Sequence, residues 1–87
     1  MLDAIKILRY RSEGFKKDQL KQIYQGFMNS IDFTIYAKLE YNSLQMEQIR
    51  LGLMSGVDVS RYADPNMSYT EMAVIRNKLI EELKTRK

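Results

Sequence analysis

The chain matches itself when it is aligned at an offset of 26 residues, and this match limits the available folds more than any other feature. Equivalent positions carry similar side chains without a gap. The matched sets are Phe15, Tyr41 and Met67; Leu20, Met46 and Met72; Ile23, Ile49 and Ile75; Gly26 and Gly52; Phe27, Leu53 and Leu79; Ile31, Val57 and Leu83; Asp32 and Asp58; Tyr36 and Tyr62; and Ala37 and Ala63. A fixed period of this length is typical of a tandem structural repeat.

The period divides the 87 residues into two full copies, 13–38 and 39–64, with a partial copy at each end. Residues 1–12 match the second half of a copy, because Ile5 and Tyr10 lie 26 residues before Ile31 and Tyr36. Residues 65–87 match the first half and finish in a charged segment, which suits the polar end of a repeat array. We therefore predict a single helical-repeat domain over residues 1–87, with residues 65–87 as its cap.

Each copy contains one long amphipathic segment. Met46, Ile49 and Leu53 recur at i, i+3 and i+7, which places them on one face of an α-helix. The equivalent residues of the other copies keep this spacing, so three long helices are expected. Short polar side chains that could cap the helix starts are Asn42 or Ser43 for the second, Ser68 or Thr70 for the third, and Asp18 for the first.

A shorter helix is predicted after each long one. Gly56 is a natural left-handed cap at the end of the second long helix, and Asp58 or Ser60 can start a short helix that Pro65 ends. The matching segment 31–37 is rich in β-branched and aromatic residues, so a strand is the competing interpretation there. The predicted fold class is all-α, a stack of long-helix and short-helix pairs.

Tyrosine recurs once per copy, at positions 10, 36 and 62. We expect each ring to wedge between successive long helices; an exposed aromatic ladder for stacking partners or bases is the alternative. Gly26 and Gly52 lie inside the long helices, where glycine costs about 1 kcal/mol relative to alanine. Close approach of another backbone is the expected compensation, and Lys78 in the third copy indicates that this contact is missing there.

The sequence contains few of the side chains that enzymes use for catalysis. The chain contains no cysteine and no histidine, which removes thiolate nucleophiles, imidazole bases and the usual zinc ligands. Asp32 and Asp58 are explained as helix caps, and the sequence contains neither a loop of calcium-binding spacing nor a glycine-rich phosphate-binding loop. We predict a protein that is not an enzyme and needs no metal or cofactor. Without an apolar signal or membrane segment, a cytoplasmic protein is expected.

The net charge is +3, and the basic excess lies at the two ends of the sequence. Two kinds of residue are candidates for partner binding: cations on helix flanks, and apolar side chains that fall off the core stripe. The candidates are Arg9, Arg11, Lys16, Lys17, Arg50, Arg76, Met54 and Tyr69. Solvated helix flanks and packing against the short helices are the competing explanations for these residues.

The second copy has a recognisable sequence. Gln45 to Leu53 reads Gln-Met-Glu-Gln-Ile-Arg-Leu-Gly-Leu, and residues 55–65 continue with Ser-Gly-Val-Asp-Val-Ser-Arg-Tyr-Ala-Asp-Pro. This segment resembles a degenerate repeat in proteins of gut-type Gram-positive bacteria and their mobile elements. The match is close over residues 41–66 and weakens in the other copies, where Tyr24 replaces the arginine and Lys38 the aspartate. The resemblance implies a helical repeat of phage or integrative-element origin and supplies no catalytic residue.

Two classes of function follow from these observations. The first is a protein-interaction module, of which an anti-CRISPR-like inhibitor of a host defence nuclease is a specific version. The second is a nucleic-acid-binding helical protein that uses its lysines and arginines against phosphates. Self-association through the partial copies is a third, structural interpretation.

Overall fold

The computed structural model describes residues 8–85, and this part of the chain is built from α-helices joined by 3₁₀ turns. After a helical turn at residues 8–12, the elements are α1 (Lys17–Met28), a first 3₁₀ turn (Phe33–Ile35), α2 (Ser43–Ser55), a second 3₁₀ turn (Val59–Arg61) and α3 (Tyr69–Thr85). The described part contains no strand, so the fold is all-α and the strand interpretation of residues 31–37 is wrong.

The predicted caps are confirmed for α2 and α3. At the start of α2, the Asn42 side chain accepts from the Gln45 amide at 2.8 Å, and the Gln45 side chain accepts from the Asn42 amide at 2.9 Å. Ser68 and Glu71 form the same reciprocal pair at the start of α3, at 3.2 and 3.3 Å. These capping boxes satisfy amides that the first helical turn leaves without partners.

The predicted cap of α1 is wrong. Lys16 precedes the helix and Asp18 lies inside its first turn. Gln19 supplies half of a capping box by accepting from the Lys16 amide at 2.8 Å. The Asp18 carboxylate nevertheless accepts a hydrogen bond from the Gln19 amide at 2.9 Å, and its negative charge is favourable at a helix N-terminus.

The predicted short helices are single 3₁₀ turns. Asp32 and Asp58 precede them, and each carboxylate accepts from the amide two residues later, that of Thr34 or Ser60, at 3.2 Å. This bond stabilises a tight turn and competes with an extended backbone. Gly56 ends α2 in the left-handed conformation, at φ 79°, as predicted.

The core lies where α1 packs on α2, α2 packs on α3, and a 3₁₀ turn covers each of the first two helices. Its largest fully buried side chains are Tyr36, Tyr62, Ile23, Met46, Ile49 and Met72. None of the helices within residues 8–85 combines the length and the apolar character needed to cross a lipid bilayer.

Tyr36 and Tyr62 each fit against a glycine of the preceding α-helix. The Tyr36 hydroxyl donates to the Gln22 carbonyl at 2.5 Å, and the Tyr62 hydroxyl donates to the Gln48 carbonyl at 2.7 Å. A methyl group on Gly52 would collide with the Tyr62 hydroxyl and lie 2.7 Å from Val59 Cγ1. The glycines therefore make room for a tyrosine side chain, and the expected close approach of another backbone is wrong.

Burial also rules out the exposed aromatic ladder, because Tyr36 is 0% exposed and Tyr62 is 1% exposed. Tyr10 is half-buried, with its ring 5.3 Å from that of Phe15 in an edge-on arrangement. Lys78, the counterpart of Gly52 on α3, is exposed. Of the proposed partial copy at the start of the chain, residues 1–7 lie outside the described residues.

We expect Gly52→Ala to destabilise the fold by roughly 1–3 kcal/mol, because overpacking outweighs the better helix propensity of alanine. Chemical denaturation of the variant measures this loss. Tyr62→Phe removes the hydroxyl that the new methyl group meets, so Gly52→Ala should cost less in a chain that already carries Tyr62→Phe. Lys78→Ala, at the exposed counterpart on α3, is the control and should change stability by less than about 0.5 kcal/mol. Equal losses for Gly52→Ala and Lys78→Ala would contradict the tyrosine contact.

Burial raises the pKa of Tyr36 and of Tyr62 to about 12, and the nearby Arg50 and Arg76 only partly oppose this effect. Between pH 10 and 12 the folded state holds protons that unfolded tyrosine, with a pKa of 10.0, has lost. Stability should therefore fall as the pH rises through this window. Absorbance of tyrosinate should show these two side chains ionising last, and Tyr62→Phe should remove one late step. Ionisation of all six tyrosines near pH 10 in a folded protein would contradict the burial.

Candidate interaction surface

Arg50 joins α2 to α1. Its Nε donates to Gln22 Oε1 at 2.9 Å, and the carbonyl of the same Gln22 accepts from Tyr36. Gln22 thus accepts one hydrogen bond from the tyrosine that follows the 3₁₀ turn and another from the arginine of the next helix. Arg50 Nη1 also donates to Met54 Sδ at 3.4 Å, so these two predicted binding residues lie together on α2.

The same arrangement joins α3 to α2. Arg76 Nε donates to Gln48 Oε1 at 3.1 Å, and the Gln48 carbonyl accepts from Tyr62. Every residue involved lies 26 positions after its counterpart at the first junction. Arg50 and Arg76 are therefore half-buried and bonded within the chain, which differs from the solvated helix flank that their charge suggests.

A second pair of glutamines joins the starts of the helices. Gln19 Nε2 donates to the Tyr41 carbonyl at 2.7 Å, and Gln45 Nε2 donates to the carbonyls of Pro65 and Met67 at 2.9 and 2.8 Å. Both side chains are buried, and an amide serves here because it donates and accepts at once. Glu71 holds the equivalent position on α3 and is exposed.

The four glutamines that join the helices were not identified from the sequence, and they are Gln19, Gln22, Gln45 and Gln48. The available signal was their recurrence, since Gln19 and Gln45, like Gln22 and Gln48, are separated by the repeat offset. Polar side chains on a helix are usually solvent-exposed, so a recurring glutamine does not by itself indicate a buried contact.

The other predicted binding residues remain at the surface. Arg9 and Arg11 lie on the helical turn at residues 8–12, while Lys16 and Lys17 lie at the start of α1; all four are exposed. Tyr69 is 42% exposed at the start of α3, and Met54 is 51% exposed near the end of α2. The candidates thus divide into a basic end of the molecule and two separate apolar positions on the later helices.

The described residues offer little for chemistry. A cleft of about 450 Å³ lies between the starts of α1 and α2, and its charged lining residues are Lys16, Asp18 and Glu40. Hydrogen bonds from Ser43 and the Gln19 amide lower the pKa of Asp18, so this carboxylate is already engaged in the anionic form. Residues 8–85 contain no group of three carboxylates that could hold a metal ion.

Apolar side chains also lie on the outer side of α2. Leu44, Leu51 and Met54 are spaced at i, i+7 and i+10, which places them on one side of α2. The buried Ile49, at i+5, lies on the opposite side. Leu44 is 46% exposed and Leu51 is half-buried. We call these three residues the α2 outer face. A helix that is apolar on both sides is usually covered on both sides.

No protein-family model, curated protein or solved structure matches the chain.

We expect Arg76→Ala to lower stability by roughly 1–2 kcal/mol, because it leaves Oε1 of the buried Gln48 without its donor. A double-mutant cycle with Gln48→Ala, followed by denaturant unfolding, isolates the coupling between the two side chains. Arg61→Ala is the matched control, since Arg61 is exposed. A coupling near zero would show that Arg76 does not join the helices.

Proposed function

We propose that the chain is a non-enzymatic protein-interaction module built as a tandem helical repeat. The repeat is supported by the contacts at the two helix junctions, which recur at the offset found in the sequence. At each junction a tyrosine packs against a glycine, and its hydroxyl donates a hydrogen bond to a glutamine carbonyl. An arginine of the next helix donates a hydrogen bond to the side chain of the same glutamine.

The α2 outer face carries the functional part of the proposal. Its apolar side chains serve no core, since Ile49 and Met46 on the other side of α2 already form it. Methionine suits a binding surface because its flexible thioether adapts to different shapes. A protein surface is therefore the partner that this face favours.

Nucleic acid binding is the second candidate, and the exposed cations at the beginning of the described chain favour it. Arg9, Arg11, Lys16 and Lys17 occur within nine residues, and each is exposed. Binding through these side chains would release counterions from the phosphate backbone and weaken steeply with added salt. The α2 outer face would have no part in such binding.

Inhibition of a host defence nuclease is a narrower form of the protein-binding proposal. Its support is the resemblance of residues 41–66 to a repeat of mobile elements. Proteins that mimic DNA are usually acidic, whereas this chain carries a net charge of +3. An inhibitor of this kind would therefore bind a protein surface or compete for the nucleic-acid path.

The test is capture of partners by the tagged chain from bacterial lysate, with and without nuclease treatment. We expect a defined protein to be retained after nuclease treatment and lost with Leu44→Glu/Met54→Glu, which places charges on the α2 outer face. Arg9→Ser/Arg11→Ser is the control and should retain that protein. Loss of all partners on nuclease treatment, together with affinity that falls steeply between roughly 50 and 200 mM salt, would favour nucleic acid instead.

A further inference from the structure

One side of α1 is exposed along its whole length. Lys17, Lys21, Tyr24 and Met28 are spaced at i, i+4, i+7 and i+11, which aligns them on one side of the helix. All four are exposed, and the two largest apolar members, Tyr24 and Met28, are 52% and 60% exposed. We call these four residues the α1 stripe.

The centre of the equivalent side packs on a preceding helix in both α2 and α3. The counterparts of Lys21 and Tyr24 there are half-buried, and they are Glu47 and Arg50 on α2, and Ala73 and Arg76 on α3. Arg50, which lies 26 residues after Tyr24, extends from α2 to Gln22 of α1. Arg76 extends from α3 to Gln48 of α2 in the same way. The α1 stripe thus lies on the side that α2 and α3 use for helix packing, and this continuity identifies an α-helix as the element that fits it.

The side chains of the stripe differ from their counterparts in a way that changes the preferred partner. Tyr24 stands where α2 and α3 carry the arginine that bonds a glutamine. Its ring lies beside that of Phe27, with the ring centres 6.4 Å apart. A helix docked here would therefore meet an aromatic ring and the Met28 thioether, and both are better matched by apolar side chains than by a glutamine.

Charge selects further among helices. Lys17 and Lys21 form the N-terminal half of the stripe, and Arg9, Arg11 and Lys16 are exposed residues of the preceding segment. Between residues 8 and 28 there are five cationic side chains and two anionic ones, Glu13 and Asp18. Asp18 accepts from the Gln19 amide at 2.9 Å, and hydrogen bonding with Ser43 of α2 is the largest cause that lowers its pKa. With five cations against two anions, this segment carries a net positive charge.

We propose that the α1 stripe binds an acidic amphipathic α-helix of a partner protein. The apolar side of that helix covers Tyr24 and Met28, and its aspartate or glutamate side chains lie beside Lys17 and Lys21. This inference rests on the proposed function, because it names one surface of the module and the class of partner that the surface accepts.

The test uses a displayed library of amphipathic helical peptides whose solvent-facing positions carry random charges, selected for binding to the full chain. We expect the selected peptides to carry aspartate or glutamate on the flank of an apolar face. Lys17→Glu/Lys21→Glu should weaken their binding by about tenfold or more. Exchanging the acidic residues of the peptide for lysine should restore binding to this variant. Tyr24→Ala should also weaken binding, without altering the helical circular dichroism of the chain.

Matched controls lie on α3. Lys78→Glu/Lys84→Glu reverses two exposed lysines away from the stripe, and Val74→Ala trims an exposed apolar side chain of the same helix. Neither should change peptide binding by more than about twofold. Selection that yields no acidic helices, or peptides whose binding ignores the stripe variants, would overturn the inference. If the partner captured from lysate is lost with Leu44→Glu/Met54→Glu and kept with the stripe variants, the proposed function stands and only the α1 stripe fails.

Discussion

The fit of a tyrosine ring against a helical glycine is the contact on which the rest of the structure depends. At each junction the ring occupies space that only the absence of a side chain at Gly26 or Gly52 provides. The hydroxyl then bonds the carbonyl of a glutamine one turn earlier in the same helix. This single contact holds the 3₁₀ turn against its helix and so sets where the chain turns towards the next helix. The glycine weakens the helix by about 1 kcal/mol, and burial of the aromatic ring offsets that loss.

The remaining junction contacts are arranged around this fit. One glutamine at each junction accepts two hydrogen bonds, one from the tyrosine hydroxyl to its backbone carbonyl and one from the arginine to its side-chain oxygen. The 3₁₀ turn and the following helix are therefore both held to the same residue. A second glutamine, Gln19 or Gln45, completes the cap of its own helix and bonds the backbone that leads into the next one. Polar groups buried in this way must be satisfied by specific partners, and this requirement favours one arrangement of the helices over others of similar compactness.

Much of the fold could be predicted because it depends on local signals. The apolar spacing of Met46, Ile49 and Leu53 indicated α2, and Asn42 and Gly56 indicated its two ends. Ser68 indicated the start of α3. The junctions could not be predicted in the same way. Gln19 and its acceptor Tyr41 are 22 residues apart, and Arg50 and Gln22 are 28 apart, so neither pair is visible in a local pattern. For the candidate surface, the sequence indicated cations on helix flanks. It could not show that Arg50 and Arg76 bond glutamines of the preceding helix, because each of these partners is 28 residues away.

The most direct test of the tyrosine contact is nuclear Overhauser spectroscopy of the folded chain, whose 87 residues suit solution NMR. We predict cross-peaks from the Gly26 Hα protons to the Tyr36 Hε protons and from the Gly52 Hα protons to the Tyr62 Hε protons. Both should be strong, because the ring ends at the glycine in each case. Absence of both cross-peaks in a folded sample, with the tyrosine rings instead close to solvent, would contradict the contact and the junction built around it.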